Sequence, residues 1–210
     1  MTVGYGVSDL VTGVTDYTVL RAASETFRVL LKHNITDSSE ADLAGVGIDL
    51  RSPEQLVDAN LTTMVSLWLY RIAILPDLLN SPPRRTGDDG YEHRPLPLEL
   101  LYLITALHPD AKTQLALTGR ALQVVNDFPR LRGSDLQDTL TGTDAELRLS
   151  IDATSLMEST ELWYSMKAPF LLSVPVRVQV APIDSQLPAT VLPPVLTRRG
   201  SSRQLSGSTA

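Results

Sequence analysis

The chain has 210 residues, 43% hydrophobic and 20% charged, enough apolar material for one compact core, since a chain of this size hides roughly 70% of its unfolded surface. Its 24 acidic and 18 basic side chains leave a formal net charge of −6, and no Lys/Arg block longer than two residues interrupts that balance, so no nucleic-acid partner is expected. Cysteine is absent, which removes disulfides, thiolate metal sites and thiol nucleophiles together and is compatible with a reducing cytoplasm.

Residues 1–16 lack the basic and apolar regions of a secretory signal and read as a Gly- and Thr-rich lead-in. From there Tyr17, Leu20, Ala23, Phe27, Leu30 and Leu31 recur at spacings of three and four, which predicts a helix ending near Lys32 to Asn34. Val46, Ile48 and Leu50 alternate within a Gly-containing stretch and suit one brief strand. Met64 to Leu75 is apolar or aromatic almost throughout and stops at Pro76, the pattern of a strand covered on both faces. Leu96 to Leu107 reads as a second interior strand. Between them Asp77 to Pro95 is a long polar loop carrying Pro82, Pro83, Arg84 and Arg85.

After Pro109 a helix is predicted, with Ala111, Leu115, Leu122, Val125 and Phe128 as its core stripe and Pro129 as its stop. The stretch 136–143 is ambiguous, and Glu146 to Asp152 alternates as a strand wet on one face. Ser155 and Glu158 have the spacing of a capping box, opening a short helix with Leu162, Trp163 and Met166. Phe170 to Ala181 alternates most cleanly, with Arg177 outward and Pro175 placing this strand at an edge or a bulge. The Pro-, Ser- and Arg-rich segment 185–210 reads as an arm or disordered tail. The order predicts an α/β (α+β) fold, a single domain over 17–184 whose mixed β-sheet carries helices mainly on one face. No run reaches the roughly 18 to 20 apolar residues that cross a bilayer, so no membrane insertion is expected.

Chemistry-bearing patterns are sparse. His33, His93 and His108 lack the paired spacing of metal ligands, and Gly45-Val46-Gly47 lacks both a third glycine and a Gly-Lys-Ser/Thr ending. Asp88-Asp89 and Glu40/Asp42 sit in polar loops, without the burial that would tune one of them into a general acid. No catalytic, metal-binding or cofactor-binding residue is therefore expected. Arg71 interrupts an apolar strand, where an unpaired buried charge would cost several kcal/mol, so it must reach an edge, a carboxylate or a partner subunit. Pro82-Pro83-Arg84-Arg85 is a stiff basic patch on an acidic chain. Arg71, Pro82, Pro83, Arg84, Arg85, Pro175 and Arg177 are thus the candidate interaction residues.

An ordered set of pieces resembles the Pvc16 N-terminal family. They are Leu67 to Arg71, the proline-bearing loop after Leu78-Leu79-Asn80, Pro95 to Ala106, Gly119 to Leu122, Leu147 to Ser150, Leu162-Trp163 and Pro169 to Val174, together spanning roughly Tyr17 to Asp184. The resemblance implies a phage tail-terminator-like fold. It also implies a structural cap of a contractile injection system, a homo-oligomeric ring, usually a hexamer, that closes the distal end of the inner tube and touches the last sheath layer. On that reading the chain is not an enzyme, needs no cofactor, has the tube and sheath proteins as partners, and is assembled into the particle in the cytoplasm. A baseplate or tail-completion adaptor of the same machine, and a small α/β enzyme whose acids and histidines converge only in space, remain as alternatives.

Overall fold

The computed structural model describes residues 16–76, 85–86, 90–91, 93, 96–180, 183 and 190–191. Helix α1 (Val19–Asn34) buries Val19, Ala22, Ala23, Phe27 and Leu31, a set that shares Ala23, Phe27 and Leu31 with the predicted stripe, while Leu20 and Leu30 are half-buried and Tyr17, ahead of the helix, is exposed. Strand β1 (Gly47–Asp49) follows, running parallel to the start of β2 (Met64–Ile74). The open side of Gly47 is filled by the Met64 thioether, whose sulfur would lie 2.7 Å from a Cβ there. Between them lies a short helix that the periodicity does not announce, α2 (Pro53–Asp58). Ser52 and Gln55 form its capping box and Pro53 opens its first turn.

Strands β3 (Arg85–Thr86), β4 (Gly90–Tyr91) and β9 (Thr190–Val191) form a small three-stranded sheet. The main sheet continues with β5 (Leu98–Leu107), then α3 (Ala111–Asp127), β6 (Arg130–Arg132), β7 (Glu146–Ile151), α4 (Leu156–Ser165) and β8 (Ser173–Gln179). Its six strands lie in the order β1-β2-β5-β8-β7-β6, with only the β1–β2 pair parallel. The stretch 136–143 is neither α-helix nor strand. It forms a 3₁₀ turn at Asp138–Leu140, and Leu136 and Leu140 are buried in the main core.

Alternation along β5 divides the molecule into layers. Leu98, Leu100, Tyr102, Ile104 and Ala106 pack with α1 and α3 in the main core, while Leu103 on the other face packs under Trp163 and Met166 of the α4 segment, beside Trp68 and Tyr70. In the main core Phe27 meets the Tyr102 ring edge-on at 5.6 Å, and the Tyr102 hydroxyl shares a 2.7 Å hydrogen bond with Ser24. The predicted mixed sheet is present with α1 and α3 on one face, and α4 covers part of the other.

Three expectations need correction. Pro175 is not at a sheet edge, because β8 lies between β5 and β7. The backbone N and C=O of one residue point to the same side of an antiparallel strand, and the Pro175 carbonyl accepts from Asp152 N–H at 2.9 Å, just beyond the last β7 rung at Ile151 and Val176. The donor that proline lacks would face the Asp152 carbonyl, so this terminal rung with β7 keeps one hydrogen bond in place of two. Helix α3 buries Leu117, Thr118, Ala121, Val124 and Val125, whereas Ala111, Leu115, Leu122 and Phe128 of the predicted core stripe are exposed and only Val125 is buried, since this helix is apolar on two sides. Strand β2 is covered only in its first half, and Arg71, Ile72 and Ile74 face solvent.

Candidate assembly surface

The face of the sheet that carries α4 also collects the charged residues of the strands. Leu69 belongs to the main core, and strict alternation would return Arg71 to that same oily side. A register shift between Leu69 and Arg71 leaves Tyr70 as the extra residue of a β-bulge. Arg71 thereby pairs with Leu101, and Leu101 pairs on its other side with Arg177. The two candidate arginines therefore flank one leucine on one face, with Pro175 two residues along β8 on the same face. The bulge is how the chain keeps a charge in an apolar strand out of the core.

Arg177 is held by two acids. Its Nη2 donates to Asp152 Oδ1 at 2.7 Å, and its Nε lies 3.5 Å from Glu99 Oε1. Glu99 is only 8% exposed, and neither its Oε1 nor the Arg177 Nε has a hydrogen-bond partner among the described residues. Coulomb attraction rather than a hydrogen bond joins that pair. Asp152 also acts on Tyr70, whose hydroxyl is pushed above its ordinary range first by burial and then by the neighbouring carboxylate. Other buried hydroxyls of this face are satisfied: Thr105 shares a 2.8 Å bond with Ser173, and Ser66 donates to the Arg51 carbonyl at 2.6 Å. Glu99 is not among the residues that sequence reasoning selects, although it interrupts its apolar strand just as Arg71 interrupts β2.

The other candidates are not brought to this face by anything the structure describes. Pro82, Pro83 and Arg84, most of the loop 77–95, the lead-in 1–15 and most of the arm 185–210 lie outside the described residues. Arg85 is described as backbone in β3, whose sheet joins Arg85–Thr86 and Gly90–Tyr91 to Thr190–Val191. His33 and His93 are exposed, and His108 accepts from Asp110 N–H at 3.0 Å beside the N-terminus of α3. No group of three or more His, Cys, Asp or Glu is placed to hold a metal among the described residues. Gly45, at φ +79°, makes the turn before β1, which gives the glycine pair a structural use. A cleft of about 170 Å³ lies between Glu40, Asp42 and Leu43 and the Ala116, Arg120 and Gln123 side of α3, below the ~300 Å³ at which ligand pockets begin.

No helix among the described residues is long and apolar enough to cross a membrane. No curated protein matches the chain in sequence. Solved structures do match in fold. One is the PVC sheath/tube terminator of an extracellular contractile injection system in its extended state, with a TM-score of 0.58 and 18% identity over 93% of this chain and 67% of that one. Another is the tube-terminating cap of the anti-feeding prophage, with a TM-score of 0.52 and 16% identity over 86% of this chain and 60% of that one. Both are longer proteins, so the likeness is to part of each. The model of the Pvc16 N-terminal domain matches residues 22–197, well over half of the sequence, and the chain belongs to that family.

Proposed function

We propose that this chain is a non-enzymatic structural cap of a contractile injection system, a ring of identical subunits that closes the distal end of the inner tube and contacts the last sheath layer. The observation that carries this reading is the fold likeness to two tube terminators over 93% and 86% of the chain. A hexameric ring follows the usual family pattern and needs heterologous contacts, in which two different surfaces of one subunit meet. Assembly takes place in the cytoplasm, within the particle. Arg71, exposed beside Leu101, and the loop Pro82 to Glu92 with the arm after Asp184 are the proposed contact elements.

Electron microscopy of particles assembled without this chain is the direct test. Tubes and sheaths of uncontrolled length are expected. Particles of normal length that lack a baseplate would move the protein to the other end of the machine. Arg71→Met is expected to leave the fold intact, within about 0.5 kcal/mol as for most exposed substitutions, and to lower the fraction of capped tube ends. Serine at Arg84 and Arg85, combined with truncation after Asp184, is expected to lower that fraction further.

A further inference from the structure

Two apolar helix faces of this molecule have no partner within its described residues. On α4, Met157, Glu161 and Tyr164 share one outward stripe at spacings of four and three, and Met157 and Tyr164 are 73% and 84% exposed. Leu156, Phe170 and Leu172 extend that surface. On α3, Leu115, Gly119 and Leu122 form an outward stripe with the same spacing, and Leu115 is 61% exposed while Leu117 on the inner side is fully buried. Apolar surface concentrated in this way marks a contact site. Because α3 packs on the Tyr102 side of β5 and α4 on the Leu103 side, the two stripes lie on opposite faces of the sheet.

Two further observations indicate what covers them. Gly119 stands in mid-helix, where glycine is a poor helix former, and a Cβ there would meet nothing within 4 Å. No contact among the described residues requires that glycine, whereas an outside helix approaching closely would. The charges also match: α4 carries Glu158 and Glu161 and no basic residue, while α3 carries Lys112 and Arg120 against a single acid, Asp127, at its far end. We infer that a second copy of this chain docks the Met157–Tyr164 face of its α4 along the Leu115–Leu122 face of α3, with Tyr164 near Gly119 and Glu161 near Lys112. The contact is heterologous, so each copy keeps one donor and one acceptor face for its neighbours. This deepens the ring reading above and rests on it only for closure.

The absence of cysteine makes the test clean. Full-length Tyr164→Cys and Leu115→Cys chains are treated with a short bis-maleimide, each alone and as an equimolar mixture, at concentrations where light scattering follows assembly. The mixture is expected to give dimers at several times the yield of either chain alone. Gly119→Ala is expected to raise the monomer's Tm by roughly 2 °C through helix propensity. Gly119→Trp is expected to leave the circular dichroism spectrum unchanged and cut mixed cross-linking at least tenfold. Glu161→Lys and Lys112→Glu should each weaken association, and mixing the two chains should restore it. Oligomers without mixed cross-links would overturn this contact and leave the ring reading standing. Mixed cross-linked dimers within assemblies whose light scattering grows without limit would support the contact and count against closure. A chain that stays monomeric without cross-links would overturn both. Shielding of the Tyr164→Cys thiol by purified tube protein, but not by a second copy, would overturn self-docking.

Discussion

At Tyr102 and Arg177 two polar groups of the sheet meet opposite fates. The Tyr102 hydroxyl is enclosed beside Ser24, and burial pushes its pKa up to about 12 from an ordinary value near 10. The folded state therefore favours the neutral phenol. That stabilisation is complete below pH 10 and is lost as pH rises toward 12, by roughly 3 kcal/mol at most. Denaturant melts of Tyr102→Phe are expected to show a shallower loss of stability across pH 10 to 12 than the parent chain. Arg177, by contrast, sits between Glu99 and Asp152, bonded to the second and 3.5 Å from the first. Replacing it with Met strands two partly buried carboxylates, and a loss of about 2 kcal/mol is expected in urea unfolding. Adding Glu99→Gln should return part of that loss, because one of the stranded charges is then gone. A double mutant no better than Arg177→Met would leave Asp152 as the only acid that matters.

Among the elements, legibility tracks how many faces a segment buries. Strand β7, wet on one face, and α1, with one apolar stripe, are readable from spacing alone because a single period describes them. The capping box at Ser155 and Glu158 locates the start of α4 to the residue. Helix α3 is legible as a helix but not in its orientation, since Leu115 and Leu122 recur as regularly as the buried Leu117, Ala121 and Val124. Periodicity reports an apolar face and does not say whether the chain's own core or something else covers it. Strand β8 reads as an edge because proline lacks a donor, and only the tertiary register shows that the lack falls on the last rung with β7, where the bond from Asp152 N–H is kept. Of the candidate contact residues, Arg71 and Arg177 are legible as charges in apolar strands, but their meeting across Leu101 depends on a bulge that no local pattern announces. Pro175→Val is accordingly expected to change stability by less than about 1 kcal/mol, as measured by chemical unfolding, since the restored N–H adds at most one hydrogen bond to a terminal rung that Asp152 already holds. A loss of about 3 kcal/mol, the size of a core truncation, would mean that the proline ring itself is packed.

For the molecule as a whole, the main sheet closes without the C-terminal segment. Its rungs end at Gln179, with one further backbone bond from Val180 to Leu98 and a bridge between Leu96 and Ile183. Among the described residues, only the small sheet uses chain beyond that point, through Gly90–Tyr91 and Thr190–Val191. Truncation after Asp184 is therefore expected to preserve the cooperative thermal transition, with hydrogen exchange accelerating at Gly90 and Tyr91 but not along β5. The two edge strands of the main sheet, β1 and β6, are each three residues long, and short edges resist strand-to-strand aggregation.

The bulge at Tyr70 works as a phase shifter, and it makes the strand's tolerance of deletions depend on position. With Tyr70 removed, Leu69 can stay opposite Tyr102 and Arg71 opposite Leu101, so both side chains keep their faces and the ladder becomes regular. Removing Trp68 leaves the same number of residues, but absorbing the loss at the bulge would turn Leu69 off the core side and bring Tyr70 onto it. The chain lacking Tyr70 is therefore expected to purify folded, and the chain lacking Trp68 to be recovered as aggregate. Family members with a β2 one residue shorter are accordingly expected to have lost the residue between the positions of Leu69 and Arg71.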